Sequence, residues 1–380
     1  AGRNPGSPGA AAGAGISEVL IYTCSSSHGF GHAARDAAVL QQVRRLRPDW
    51  RLVMSTAIEP GFLTTLLNDD AIQQRRCRWD VGVMQADALA SDPLATLEAL
   101  ERLEEDLPDL ISRELAWIRS LREPTLVLAD VPPAAAELAS GLGAPLVWMS
   151  NFGWDDIYRA FGPAFHAHVE RCGSAYASGL FLLRCPFDLP MDWGLTEQSL
   201  GLVCSQPRPL PAELIDGLSA PDRPWVQVGF GGLGLRLSPE LFAQWPDLGF
   251  LMAAPVHPDD RAALEEVPNL LLLPKGIRPL DAFPFCSRHL GKPGFSTFSE
   301  AMALDVGLHV VERRGFAEVD ALLMGLQQHG RHRLLSRVQL ENGDWELDQP
   351  LELPAGLPLS ADGALQAAHC LVELAEQQAS

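Results

Sequence analysis

The sequence predicts an α/β protein built as two doubly wound, Rossmann-like halves that face each other across a cleft. Three observations carry that expectation. Short apolar runs alternate with amphipathic helical stretches, the pattern of βαβ units, which close into parallel sheets with right-handed crossovers. A glycine loop follows the first strand of each half, at Gly29-Phe30-Gly31 and again at Gly229-Phe230-Gly231-Gly232-Leu233-Gly234. Between the halves, residues 204–224 carry five prolines and little periodicity. At 380 residues, with 47% hydrophobic and 20% charged side chains, the chain can build two cores of ordinary size.

In order, residues 18–24 form an apolar run read as a buried strand. The turn Ser25-Ser26-Ser27-His28-Gly29-Phe30-Gly31-His32 leads into a helix over 33–47, with apolar positions at Ala37, Leu40, Val43 and Leu46. A second strand (51–55) and helix (60–67) follow, then an extended segment at 77–84. Residues 94–121 are helical and charge-rich, with a break expected at Pro108. Strand 125–129 ends at Asp130 and Pro132-Pro133, and strands 145–149 and 179–183 flank the segment 151–172. The second half repeats the pattern with strands at 225–228, 250–253, 269–273, 287–290 and 308–311, and helices from about 239 and over 316–328. Residues 338–359 read as loops and short strands, and 361–378 as a closing amphipathic helix. The expected organisation is a disordered tail (1–16), an N-terminal domain (17–204), a linker (205–224), a C-terminal domain (225–360) and a final helix (361–380).

The net charge of −19 argues against a nucleic-acid partner and against docking on anionic membranes, both of which lean on Lys and Arg. Seven scattered cysteines without a Cys-x-x-Cys pair suggest neither zinc nor a disulfide framework, and point to reducing cytoplasm. No apolar run approaches the roughly 18 residues of a membrane span.

The stretch Gly291-Lys292-Pro293-Gly294-Phe295-Ser296-Thr297-Phe298-Ser299-Glu300 follows a strand and opens a helix. Gly291 and Gly294 would let the backbone approach a ligand, and Ser296 and Thr297 fall where free N–H groups and the helix dipole favour a diphosphate. Glu300, four residues after Ser296, shares its face and could accept hydrogen bonds from ribose hydroxyls. Thr297-x-x-Glu300 also reads as a capping box, in which Glu300 merely closes the helix start. Of 29 basic residues only Lys275 and Lys292 are lysines, and both flank glycine turns here, as suits a compact cation at phosphate.

His28 and His32 stand in the first glycine loop, at a helix amino end that keeps imidazole neutral and basic. Asp130, at a strand's carboxyl end, is the best-placed partner to fix the tautomer, and Asp155 is second; the choice between the histidines stays open. Both glycine loops match the dinucleotide fingerprint, yet the second strands end at Ser55-Thr56 and Ala253-Ala254, without the ribose-binding acid expected about 20 positions on. Nicotinamide or flavin chemistry is therefore a minor reading. His28-x-x-x-His32 as a metal pair is weaker still, since no third ligand is evident.

Ser27-His28-Gly29-Phe30-Gly31-His32-Ala33-x-Arg35 resembles the opening motif of the glycosyltransferase-like domain of plant arabinokinases and free-standing bacterial relatives. Asp130-x-Pro132-Pro133 with Asn151-Phe152-x-Trp154-Asp155-x-Ile157-Tyr158 resembles that family's middle motif. Gly291-Lys292-x-Gly294-Phe295-x-Thr297-x-Ser299-Glu300-Ala301, then Arg313 and Phe316-x-Glu318, resembles its last. More distantly, the layout is similar to the N-acetylglucosaminyltransferase that completes lipid II and to the nucleotide-sugar hydrolase of pseudaminic acid synthesis. The resemblance implies a GT-B fold, an acceptor site in the N-terminal half, and a nucleotide-sugar donor, UDP- or dTDP-linked, in the other. It implies inversion at the anomeric carbon, no obligatory metal and no cofactor. Carried over, Glu300 would hold ribose, and Gly231, Gly232, Ser296 and Thr297 the diphosphate, with Lys292 and Gly294 in the same turn. The main chain of Gly276 and Ile277 would read the base, and Glu318 would touch the donor sugar. His32 or His28 would be the base, supported by Asp130, with Asn151 and Asp155 on the acceptor side. Ser27, Asp156 and Glu312 depart from the family pattern and leave sugar and acceptor unassigned. No sugar-kinase domain follows, so arabinokinase activity is not implied. A hydrolase or epimerase of the same fold, or a non-catalytic nucleotide-sugar-binding protein, are the alternatives.

Overall fold

A computed structural model describes residues 19–87, 90–219, 223–230, 237–254, 258–313 and 316–379. The strands are β1 (Leu20–Ser25), β2 (Arg51–Thr56), β3 (Gln73–Arg76), β4 (Gln85–Asp87), β5 (Ala90–Ser91), β6 (Thr125–Asp130), β7 (Leu146–Ser150), β8 (Phe181–Arg184), β9 (Thr196–Ser199), β10 (Trp225–Gly229), β11 (Gly249–Ala253), β12 (Leu270–Leu273), β13 (Cys286–Gly291), β14 (Gly307–Val311) and β15 (His332–Leu335). One parallel sheet runs β3-β2-β1-β6-β7-β8-β9 and the other β12-β11-β10-β13-β14-β15, while β4 and β5 form a small antiparallel ribbon. These are two doubly wound α/β halves, as the alternating pattern predicts.

Each sheet reverses its order beside its first strand, between β1 and β6 and between β10 and β13. Such switch points leave a crevice at the carboxyl ends of the strands. The registers put Ser25 opposite Asp130 in one sheet and Gly229 opposite Gly291 in the other. The turns that follow Ser25 and Gly291 thus open at a crevice.

Several elements differ from the sequence reading. The helix Pro93–Leu121 runs through Pro108 without a break. A buried stripe of Leu100, Leu103, Leu110, Ile111 and Ile118 holds it together on both sides of the proline. Residues 77–84 are irregular, and the strand lies just before them at Gln73–Arg76. β9 and β15 were not expected. The segment 338–359 contains no named strand; its regular element is the helix Arg337–Asn342.

The segment between the halves is itself packed. Its helix, Ala212–Ser219, buries Leu214 and Leu218 against Trp225, Leu251 and Leu273. Arg208 pairs with Asp281 at 2.8 Å. The closing helix, Gly363–Ala379, crosses back to the N-terminal half, where Gln366 accepts from the Gly201 amide at 2.9 Å and Arg47 pairs with Glu376. One apolar cluster is continuous across both halves, joining Val39, Leu40, Leu202 and Leu371 to Phe295, Phe298 and Leu322. Among the described residues no helix is long and apolar enough to cross a membrane.

Candidate active site

The first glycine loop leads from β1 into the helix Gly31–Leu46. His32 lies in its first turn and Arg35 one turn on, so both reach the end of β6. His32 Nδ1 is 2.8 Å from Asp130 Oδ1, and Arg35 grips both oxygens of that carboxylate through Nε and Nη2. Asp130 is fully buried; burial pushes its carboxyl up, but the charges and hydrogen bonds of Arg35 and His32 bring it below its ordinary range. An ionised Asp130 only accepts, so Nδ1 of His32 carries a proton, and in the neutral ring the acceptor is then Nε2. Arg35 Nη2, 3.1 Å from the same Nδ1, has its acceptor in Asp130.

His28 is held the other way. Its Nδ1 accepts from the Val83 amide at 3.2 Å, which places its proton on Nε2. Its ring stacks on Phe316 from the other half (5.8 Å, 19°) and meets the edge of Trp154. Burial first, then the charges of His32, Arg313 and Lys292, push it down to about 3, so it stays neutral. His28 is thus held as an N–H donor through Nε2, and His32 through Nδ1 against Asp130.

Asp155 does not support either histidine. Its Oδ2 accepts from Trp193 Nε1 at 3.3 Å and its Oδ1 is buried without a partner. Burial and Asp156 push its carboxyl up to about 6. It follows Gly153 at the start of a short helix, Trp154–Arg159, and that turn faces Trp193 and Tyr176. Asn151 does reach the centre: Oδ1 accepts from Arg35 Nη1 at 2.6 Å, and Nδ2 donates to Glu318 of the opposite half at 2.9 Å.

On the opposite half, the helix Phe295–Ala303 starts after Gly294 with no side-chain cap. Ser296 and Thr297 are already inside it, so the capping-box reading of Thr297 and Glu300 fails. The first amides of the helix lack partners within it. Ser296 Oγ donates to the Gly31 carbonyl at 3.0 Å, which sets this helix tip directly against the first loop. A Cβ on Gly31 would lie 3.3 Å from that hydroxyl, and one on Gly294 would meet open space. Gly291 serves packing rather than ligand approach: a Cβ there would strike the Gly229 carbonyl and His289, each at 2.4 Å.

Glu300 is half-buried, and burial pushes its carboxyl up to about 7 against the pull of Arg278. Lys292 is half-buried too, brought down to about 8 by burial and Arg313, with Glu318 opposing. The backbone at the expected base-reading turn is partly engaged: Ile277 N–H donates to the Pro274 carbonyl at 3.1 Å, and the Gly276 carbonyl accepts from Arg208 at 3.0 Å. Gly231 and Gly232 lie outside the described residues. Sequence reasoning assigned no role to Arg35, which also lies 4.6 Å over the Phe295 ring. Its spacing of three from His32 on a helix was the available signal.

No protein-family model matches the chain. Over 362 residues, 92% of this chain, it is 29% identical to an L-arabinokinase of Arabidopsis thaliana, and it spans only 34% of that protein's length. Among solved structures it is similar to a UDP-glucosyltransferase from Polygonum tinctorium (TM-score 0.59, 15% identity, 95% of this chain and 93% of that one). It is also similar to Phytolacca americana UGT2 (0.58, 14%, 95% and 94%) and to Acinetobacter baumannii MurG (0.51, 15%, 95% and 99%). The chain is therefore a homologue of the part of an arabinokinase that it matches, and its two facing parallel sheets have the GT-B fold.

Proposed function

We propose that this protein is a glycosyltransferase that moves a sugar from a nucleotide sugar to an acceptor hydroxyl, with inversion and without an obligatory metal. The observation that carries the reading is the 3.0 Å contact between Ser296 and Gly31, which sets a helix amino end against the loop bearing the His32–Asp130 pair. His32 Nε2 takes the acceptor proton while the oxygen attacks the anomeric carbon and the bond to the nucleoside diphosphate breaks. Asp130 stabilises the resulting imidazolium. The helix amides and Lys292 meet the charge that builds on the leaving diphosphate, which is why the reaction is written without a metal. Glu300 would hold ribose, Glu318 the donor sugar, and His28 would donate from Nε2 within the site. The structurally similar Phytolacca americana UGT2 is complexed with UDP-2-fluoro-glucose, which supports a UDP-linked donor. All seven cysteines are free, and a reducing compartment such as cytoplasm is the setting we propose.

The reading is tested by calorimetry with UDP and dTDP. Glu300→Ala should weaken nucleotide binding roughly tenfold or more, the worth of one to two charge-assisted hydrogen bonds. Unchanged affinity would refute the donor-site assignment. One observation favours a second reading, hydrolysis of the same donor: His32 is only 6% exposed, which suits a nucleophile as small as water. Release of free sugar from labelled donor without acceptor would establish it.

A further inference from the structure

Behind the His32–Asp130 pair lies a carboxyl that this mechanism does not use. Asp36 follows His32 by one helical turn and is 0% exposed. Among the described residues no N–H donor pairs with either of its oxygens, and none pairs with the buried hydroxyls of Thr23 and Ser25 on β1. Ser25 is in register with Asp130, so the polar neighbours of Asp36 are a strand-end hydroxyl and the carboxylate that holds His32.

The cations of this region are already committed. Asp130 takes both arms of Arg35 and the Nδ1–H of His32. Two adjacent buried carboxyls do not both ionise, and the one without a cation keeps its proton. That one is Asp36, whose carboxyl is pushed well above the usual range by burial and by the charge of Asp130, with Ser25 and Arg35 pulling the other way. The other titratable neighbours are the thiols of Cys24 on β1 and of Cys185, just past β8, both held neutral by burial.

Resting on the reading of His32 as the base, we propose that Asp36 is its positioning residue: the Asp36 carboxylic acid donates its O–H to the Asp130 carboxylate and fixes the orientation in which that carboxylate receives His32. No bond is made or broken in the cycle at Asp36; the proton stays between the two carboxyls while Asp130 carries the charge. Asp130 thus receives Arg35, His32 and a neutral donor, which together fix its orientation.

The test uses the full chain without substrate, so its result is independent of the nucleotide-binding experiment that judges the donor site. The infrared difference spectrum between wild type and Asp36→Asn at pH 7 should show the loss of one protonated-carboxyl C=O band. Proton NMR should place the His32 Nδ1–H resonance, assigned with His32→Gln, at nearly the same position in wild type and Asp36→Asn. An asparagine amide still donates to Asp130. In Asp36→Leu, which donates nothing, that resonance should move downfield as Asp130 returns its full charge to the imidazole. Loss of an ionised carboxylate band in Asp36→Asn, or an unmoved resonance in Asp36→Leu, would overturn the proposal. Should the leucine variant fail to fold, the infrared arm on the asparagine variant decides alone.

Discussion

Asn151 and Glu318 stand on opposite halves of the chain and are hydrogen-bonded, Nδ2 to Oε1, at 2.9 Å. Through Asn151 Oδ1 the contact continues to Arg35, and from Arg35 to Asp130 and His32. A single polar path therefore runs from the candidate base in one half to the residue expected to touch donor sugar in the other. Contact between the halves and the orientation of His32 thus share one hydrogen-bonded network.

Asn151→Ala tests that connection. It leaves Arg35 Nη1 without this acceptor and Glu318 without this donor, each loss costing roughly 1–3 kcal/mol where the group is buried. Denaturant unfolding should show a lower midpoint. Turnover should fall by more than stability alone explains, because Arg35 is freed to swing away from Asp130. A variant as active as wild type would show that the path is structural decoration.

The opposite tautomers of the two histidines predict opposite sensitivities. His32→Gln removes the imidazole held by Asp130, and donor turnover should drop by about 10²–10⁴. His28→Gln keeps an N–H donor and should lose far less. Release of nucleoside diphosphate reads both, and equal losses would contradict the assignment.

How far the sequence carried can be judged from particular elements. The buried central strands were legible because β1, β6 and β7 are continuous apolar runs, as parallel strands covered on both faces must be. β3 reads Gln-Gln-Arg-Arg and β9 reads Thr-Glu-Gln-Ser; both are edge strands of polar side chains, and composition does not mark them. In the site, local motifs were legible: two histidines in a glycine turn, a glycine-started helix, and an aspartate at a strand end. The capping box failed because the helix begins at Phe295, ahead of Thr297, and a sequence pattern locates a helix start only within a few residues. Asn151 and Glu318 lie 167 residues apart, and only the packing of the two halves makes them partners.

The closing helix packs on the helix Gly31–Leu46 of the N-terminal half, and Leu371 is fully buried in the apolar cluster that joins both halves. Leu371→Ala should cost about 2–5 kcal/mol, the range for emptying a core leucine site. The measurement is the shift in urea midpoint at unchanged slope. A change below about 0.5 kcal/mol would mean that the helix is a loosely held appendage.

Glu300 makes stability depend on pH in a defined direction. Its carboxyl rises from 4.5 in the unfolded chain to about 7 in the folded one, so the folded state binds more protons between those values. Stability is then greatest below 4.5 and is lost as pH climbs to 7. The full linkage is roughly 3 kcal/mol, which partial exposure reduces to about 1–2 kcal/mol. Glu300→Gln cannot titrate, so it should match wild type near pH 4 and exceed it by that amount above pH 7. Asp155 titrates in the same window and with the same sign, but it cancels in the comparison of the two proteins. Parallel melting curves at every pH would show that Glu300 is solvated like a surface carboxylate.

Lys292 gives the complementary dependence for ligand. Burial and Arg313 bring its ammonium down to about 8, so in the free protein the charge fades just above neutrality. A diphosphate beside it favours the charged form, and binding at pH 8 should therefore take up a proton. Calorimetry of UDP in two buffers of different ionisation enthalpy would read that uptake directly. Affinity should hold steady between pH 6.5 and 7.5 and then fall above 8, by up to about tenfold per pH unit, as the neutral amine becomes the dominant form. Lys292→Met should bind more weakly at pH 7, by roughly tenfold, the worth of one charge-assisted contact. It should also lose the decline at high pH, because nothing at that position is left to titrate. Lys292→Arg should likewise be flat with pH, since guanidinium stays charged, but its planar fork fits a site shaped for a point charge poorly. If wild type and Lys292→Met decline together, the group titrating near 8 is not Lys292, and the positive charge opposite the leaving group has to come from the helix tip alone.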